Sequence, residues 1–153
     1  MRPDDRLSPH FSLRELMRSE YAARHDLDNT PPDAVVDKLI VVAEGLERIR
    51  FVIGTPINVQ SGYRSPRVNA GVGGAATSQH LKGEAADINA VGYKPRELAA
   101  KILKCQDAIR FDQLLLEYPD VGGWVHVSFV EGREPRGQVL TKLTGKPYQI
   151  GLA

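Results

Sequence analysis

A chain of 153 residues, 42 % hydrophobic and 25 % charged, has the size and composition of one globular domain that buries about two-thirds of its unfolded surface. Its 20 Lys and Arg stand against 19 Asp and Glu, a formal charge of +1, which excludes a general nucleic-acid binder because no basic surplus is there to displace counterions. The single cysteine, Cys105, excludes an intramolecular disulfide, and no apolar run approaches the roughly 20 residues that cross a bilayer.

Residues 1–9 are polar, contain two prolines, and are expected to form a loose arm. The opening Met-Arg-Pro-Asp-Asp-Arg has no apolar segment of the secretory kind, so the expected place of synthesis is a cytoplasm, with release depending on another factor. Ser12 with Glu15 three residues on is a capping-box pair, and it predicts a helix over 12–24 with Leu13, Leu16 and Met17 on one face. Pro31 and Pro32 open a second helix to about residue 52, in which Val35, Leu39, Val42, Leu46 and Ile49 recur at helical spacing before Gly54 ends it. Residues 56–61 alternate as a strand, with Ile57 and Val59 on one face.

The glycine-rich stretch 71–74 reads as a loop; no Lys-Ser/Thr follows it, so it is no phosphate cradle. Residues 85–89 form a short strand candidate, and Pro95 starts a helix carrying Leu98, Ile102 and Leu103. Cys105 falls in a helical run over 97–108 and reads as a small buried core thiol. Strands over 111–117 and 124–130 flank a Pro-Asp-Val-Gly-Gly turn, and 139–143 is a last strand candidate before a tail over about 144–153. Helices come first and strands cluster late, which predicts an α+β single domain: a small antiparallel sheet with helices packed against it.

Chemistry concentrates in two places. His80, Glu84 and Asp87 lie in Ser-Gln-His-Leu-Lys-Gly-Glu-Ala-Ala-Asp-Ile, and His126 lies in Gly-Trp-Val-His-Val-Ser-Phe. Strand alternation puts Trp124, His126 and Ser128 on one face, with Val125, Val127 and Phe129 turned to a core. The same alternation sets Asp87 opposite Ala86 and Ile88. Two imidazoles and a carboxylate suit zinc and leave a fourth position for water. From the residues alone other readings stay open. A histidine on a strand is more often a hydrogen-bonded residue than a ligand. Two His and one carboxylate also make the facial triad of non-haem iron oxygenases, although the spacing of His80 and Asp87 is wider than the tight His-x-Asp of those enzymes.

Ser61-Gly62-Tyr63-Arg64-Ser65-Pro66, then Ser78-x-His80-x-x-Gly83-x-Ala85-x-Asp87, then Trp124-x-His126 resemble, in that order, the zinc D-alanyl-D-alanine carboxypeptidase family. That family belongs to a wider group of cell-wall metallopeptidases that includes phage endolysins. The similarity runs from about His10 to Phe129. The resemblance implies zinc on His80, Asp87 and His126, with Arg64 polarising the scissile carbonyl or holding a substrate carboxylate, and Ser78, Gln79 and Trp124 lining the substrate site. It implies peptidoglycan stem peptides as substrate and action on the cell wall, in a bacteriophage or prophage context. It does not speak to oligomeric state.

One departure stands out. Many relatives carry a general-base carboxylate three residues before the last His, and here that position is Gly123. Glu117, closing the strand before the one that carries His126, is the expected base, with Asp120 as the second candidate. Glu84 reads as a solvated residue, and His10 and His25 as structural or exposed. A relative that keeps the fold and has lost the chemistry is the alternative that Gly123 raises.

Overall fold

The computed structural model describes residues 1–153. The first nine residues are not a loose arm: Arg6–Ser8 (β1) pairs antiparallel with Phe11–Ser12 (β2). Leu7 is buried, and Ser8 Oγ donates to Glu47 at 2.8 Å. A lone leucine among polar residues carries no periodic signal, so only its burial under the long helix reveals the strand.

The helix expected over 12–24 is two helices, Leu13–Met17 (α1) and Glu20–Arg24 (α2). Ser12 forms the capping box with Glu15, as its spacing predicts. The break comes at Arg18, which is extended, because Ser19 caps α2 by accepting from Ala22 N at 3.1 Å. Asn29 Nδ2 donates to the freed Met17 carbonyl at 2.6 Å.

Asp33–Ile53 (α3) follows its prolines, and Val36, Leu39, Val42, Leu46 and Ile49 form its buried stripe. Gly54 ends it at φ 73°, the left-handed conformation that glycine adopts without steric cost. Next come Ile57–Ser61 (β3), the short helices Pro66–Gly71 (α4) and Gln79–Lys82 (α5), and Ala85–Ala90 (β4). Pro95–Lys104 (α6) and Gln106–Ile109 (α7) divide the helical run expected over 97–108 at Cys105, which is half-buried against the core rather than fully inside it. Gln113–Glu117 (β5), Trp124–Ser128 (β6), Gln138–Lys142 (β7) and Gln149–Ile150 (β8) complete the chain, so the expected tail also contains a strand.

The predicted α+β class holds. The sheet that carries the site has six strands in the order β3-β4-β6-β5-β7-β8, antiparallel except for the parallel pair β5–β7. Register decides the rest, because one residue of slip would turn every side chain to the other face. Asp87 stands opposite His126, Leu115 opposite His126 on the other side, and Glu117 opposite Trp124. Ala86, Ile88, Leu114, Leu116, Val125 and Val127 fill the opposite face and are fully buried in the core with residues of α3 and α6. Helices α3 and α6 thus cover one face of the sheet, and α5 brings His80 to the other, polar face.

Candidate metal centre

Three elements bring the candidate ligands together. Ser78 caps α5, its Oγ accepting from His80 N at 3.2 Å. Gly83, at φ 71°, then turns the chain back into β4. The turn returns Asp87 to the side of the sheet on which His80 lies, and the β4–β6 register delivers His126 beside it. His80 Nδ1 lies 2.6 Å from the Gly62 carbonyl oxygen, to which it donates, so Nε2 carries the free lone pair. His80 Nε2 and His126 Nδ1 stand 3.2 Å and 3.0 Å from the same oxygen, Asp87 Oδ1.

All three residues are buried, at 2, 9 and 6 % exposure in chain order. Burial disfavours the ionised Asp87, but the two imidazoles outweigh it and hold the carboxyl well below the usual carboxylate range. The donor atoms lie within 4.8 Å of one another. Tetrahedral zinc, with ligand bonds near 2.0–2.1 Å, sets its donors roughly 3.3 Å apart. The spacing, the N, N, O donor set and the carbonyl that orients His80 therefore fit zinc.

The centre opens into a cleft of about 800 Å³. Arg64 lines it, and its Nη2 donates to Ser78 Oγ at 3.2 Å. The Arg64 backbone is pinned, because its N–H donates to the His80 carbonyl at 3.1 Å. Its Nε is buried without a partner, so part of the guanidinium fork is uncommitted. Burial lowers the Arg64 pKa, opposed by the carboxylates of Asp87 and Glu117; an arginine so placed stays charged. Glu117 lines the same cleft. Burial, then the nearby Asp87 carboxylate, raises its pKa, against the pull of His126, Tyr148 and Arg64.

The other sequence candidates divide. Ser78, Gln79 and Trp124 line the cleft, although Gln79 turns its amide away to donate to Asp112 at 3.0 Å. Asp120 is exposed, lies outside the cleft, and accepts from Thr144 N at 3.4 Å. Glu84 faces Lys38, 3.7 Å away. His10 pairs with Glu47, and His25 stacks on Tyr21 with ring centroids 3.9 Å apart. Tyr148 and Arg136 are among the cleft residues that escaped sequence reasoning. Tyr148, in the expected tail, donates to Glu117 Oε2 at 3.2 Å, and Arg136 follows β6 in a segment without periodicity. No local pattern marks either; only β7 and β8 carry them back to the site.

A family model described as Peptidase M15 matches residues 9–128. The chain belongs to peptidase family M15. The match includes all three metal candidates, Arg64 and Glu117, and it ends before β7 and Tyr148. M15 metallopeptidases are zinc-dependent, in agreement with the donor set. No curated relative matches this M15 peptidase.

The geometry also accounts for the glycine where many relatives have a carboxylate. Gly123 has φ +69°, and a Cβ there would lie 2.3 Å from the Glu117 carbonyl oxygen. The turn before β6 of this M15 peptidase thus has no room for any side chain at that position. Gly123→Ala is expected to destabilise the fold by about 2 kcal/mol or more, combining left-handed strain with a backbone clash. A lowered denaturant midpoint with unchanged slope is the expected observation, and an unaltered midpoint would show that the turn relaxes freely.

Proposed function

We propose that this M15 peptidase hydrolyses peptide bonds involving D-amino acids in peptidoglycan stem peptides, with zinc held by His80, Asp87 and His126. The observation that carries this reading is the meeting of three metal donors, a half-buried carboxylate and a pinned arginine in one cleft. Zinc in such a site makes a water nucleophilic near neutral pH. Glu117 would take a proton from the attacking water and pass it to the leaving amine, a role suited to a carboxylate that burial makes more basic. Arg64 directs its fork at the scissile carbonyl, where negative charge develops. The M15 membership favours this chemistry over the iron oxygenase.

Cleavage within the stem peptide is favoured over trimming of its end. A second groove of about 760 Å³, lined by Arg18, Asn58 and Gln60, shares Arg64, Val72 and Asp87 with the metal cleft. A peptide extending both ways from the metal has room on each side. On this reading the enzyme acts on the wall after release from the cytoplasm in which it is made, as a phage or prophage enzyme would.

Mass spectrometry of purified peptidoglycan after digestion tests the reading. New stem-peptide ends that chelation abolishes are expected. Free D-alanine without such ends would overturn internal cleavage and leave the peptidase intact. No product at full zinc occupancy would favour the inactive relative. Arg64→Lys keeps the charge and loses the fork, so turnover is expected to fall about 100-fold or more with zinc content unchanged. Normal turnover in Arg64→Ala would reduce the residue to a turn element.

A further inference from the structure

Asp112 is fully buried, one position before β5. Its two oxygens accept from Gln79 Nε2 at 3.0 Å, from Arg133 Nη1 and Nη2 at 2.8 and 3.1 Å, and from Arg136 through its backbone N at 2.9 Å and Nη2 at 2.7 Å. Arg133 through Nη1 and Nη2, and Arg136 through Nε and Nη2, each span both oxygens in the paired geometry that best satisfies a carboxylate. Two guanidiniums on one carboxylate leave one positive charge uncompensated. The nearby Glu134 does not cancel it at the cleft, because it is exposed and paired with Arg110.

The two arginines face different ways. Arg133 lines a separate groove with Val41, Arg48 and Phe129, whereas Arg136 lines the metal cleft. Arg136 commits Nε and Nη2 to Asp112, and its Nη1 makes no hydrogen bond. The side chain is 48 % exposed. Its free edge is therefore held in place by a buried anchor, and little ordering remains to be done on binding. The neighbouring cleft residues Gln79, Gln113 and Gln138 are neutral amides, and the carboxylates that line the cleft, Asp87 and Glu117, belong to the metal centre and its base rather than to this end.

Distance completes the assignment. Leu115 pairs with His126, and Asp112 lies three positions back along the chain. At about 3.3 Å per residue this is roughly 10 Å, the length of two to three residues of an extended peptide. We propose that Arg136 is a specificity-determining residue, forming a subsite for a peptide carboxylate two or three residues from the scissile bond. The proposal rests on the peptidase reading above and adds that the preferred substrates are acidic peptides.

The test uses the full-length zinc-loaded protein and stem-type peptides with Glu, or its uncharged amide Gln, at each position up to three residues from the cut bond on either side. Wild type is expected to favour Glu about tenfold or more in kcat/KM at one of these positions, the scale of a charge-assisted hydrogen bond. Arg136→Gln should abolish that preference by raising KM for the Glu peptide far more than for the Gln peptide. Arg136→Lys should restore part of it. A preference that survives Arg136→Gln, or an equal loss on both peptides, would overturn the proposal. Calorimetric binding of the same peptides to the Glu117→Gln protein keeps the two readings apart. A preference for Glu that Arg136→Gln removes there upholds the subsite even if wild type cleaves neither peptide, and binding indifferent to the carboxylate overturns it.

Discussion

Alanine at His80, Asp87 or His126 is expected to bring zinc from one ion per chain to near zero and hydrolysis to background. Each residue supplies one of only three protein donors, and two donors cannot hold the ion in a site that must also keep a position open for water. Asp87→Ala should be the most damaging, because Asp87 Oδ1 is the atom on which both imidazoles converge. Its loss leaves two buried imidazoles with no shared anion. The fold should persist in all three variants, since the core lies on the opposite face of the same strands, through Ala86, Ile88, Val125 and Val127. Elemental analysis after dialysis, beside the rate of peptide cleavage and the far-ultraviolet circular dichroism, checks each part. Full zinc retention by all three variants would remove the assignment.

Glu117→Gln is expected to keep zinc and lose about 100-fold or more in rate. The amide has the shape of the carboxylate and still accepts from Tyr148, so the architecture of the cleft is preserved. It cannot take a proton from water. The pH profile carries the sharper signature. The base acts only when ionised, so activity falls as pH drops through its pKa. Burial raises that pKa, whereas the charge of a zinc ion on Asp87 would draw it down, so the position of the acid limb of kcat/KM reports which of the two prevails. The limb should vanish in the variant. Turnover near wild type in Glu117→Gln would take the role from this residue, and it would not pass simply to Asp120, which hydrogen-bonds Thr144 outside the cleft.

Helices α3 and α6 and strands β3 to β7 were legible because their signals are local and repeated. The stripe from Leu39 to Ile49 and the alternation of Val125, His126 and Val127 each recur with the period of their element. Helices α4 and α5 were not, since six and four residues are too few to show a helical period. The loss of the loose arm has a similar cause: Leu7 is one apolar residue, and its burial depends on α3, about thirty positions away.

The same division runs through the site. Residue type and strand parity offered His80, Asp87 and His126 as candidates, because those properties belong to the chain itself and decide which side chains share a face, and the resemblance of the ordered motifs around them to the carboxypeptidase family implied zinc. The tertiary structure decided what surrounds them. The β5–β6 pairing sets Glu117 opposite Trp124, the backbone clash at Gly123 excludes a carboxylate there, and the return of β7 and β8 brings Arg136 and Tyr148 to the cleft. Those facts depend on register and on contacts between segments 20 to 30 residues apart, as in Arg136 with Asp112 and Tyr148 with Glu117. Such contacts leave no periodic trace in the sequence, because a single side chain that reaches a distant partner repeats nothing along the chain.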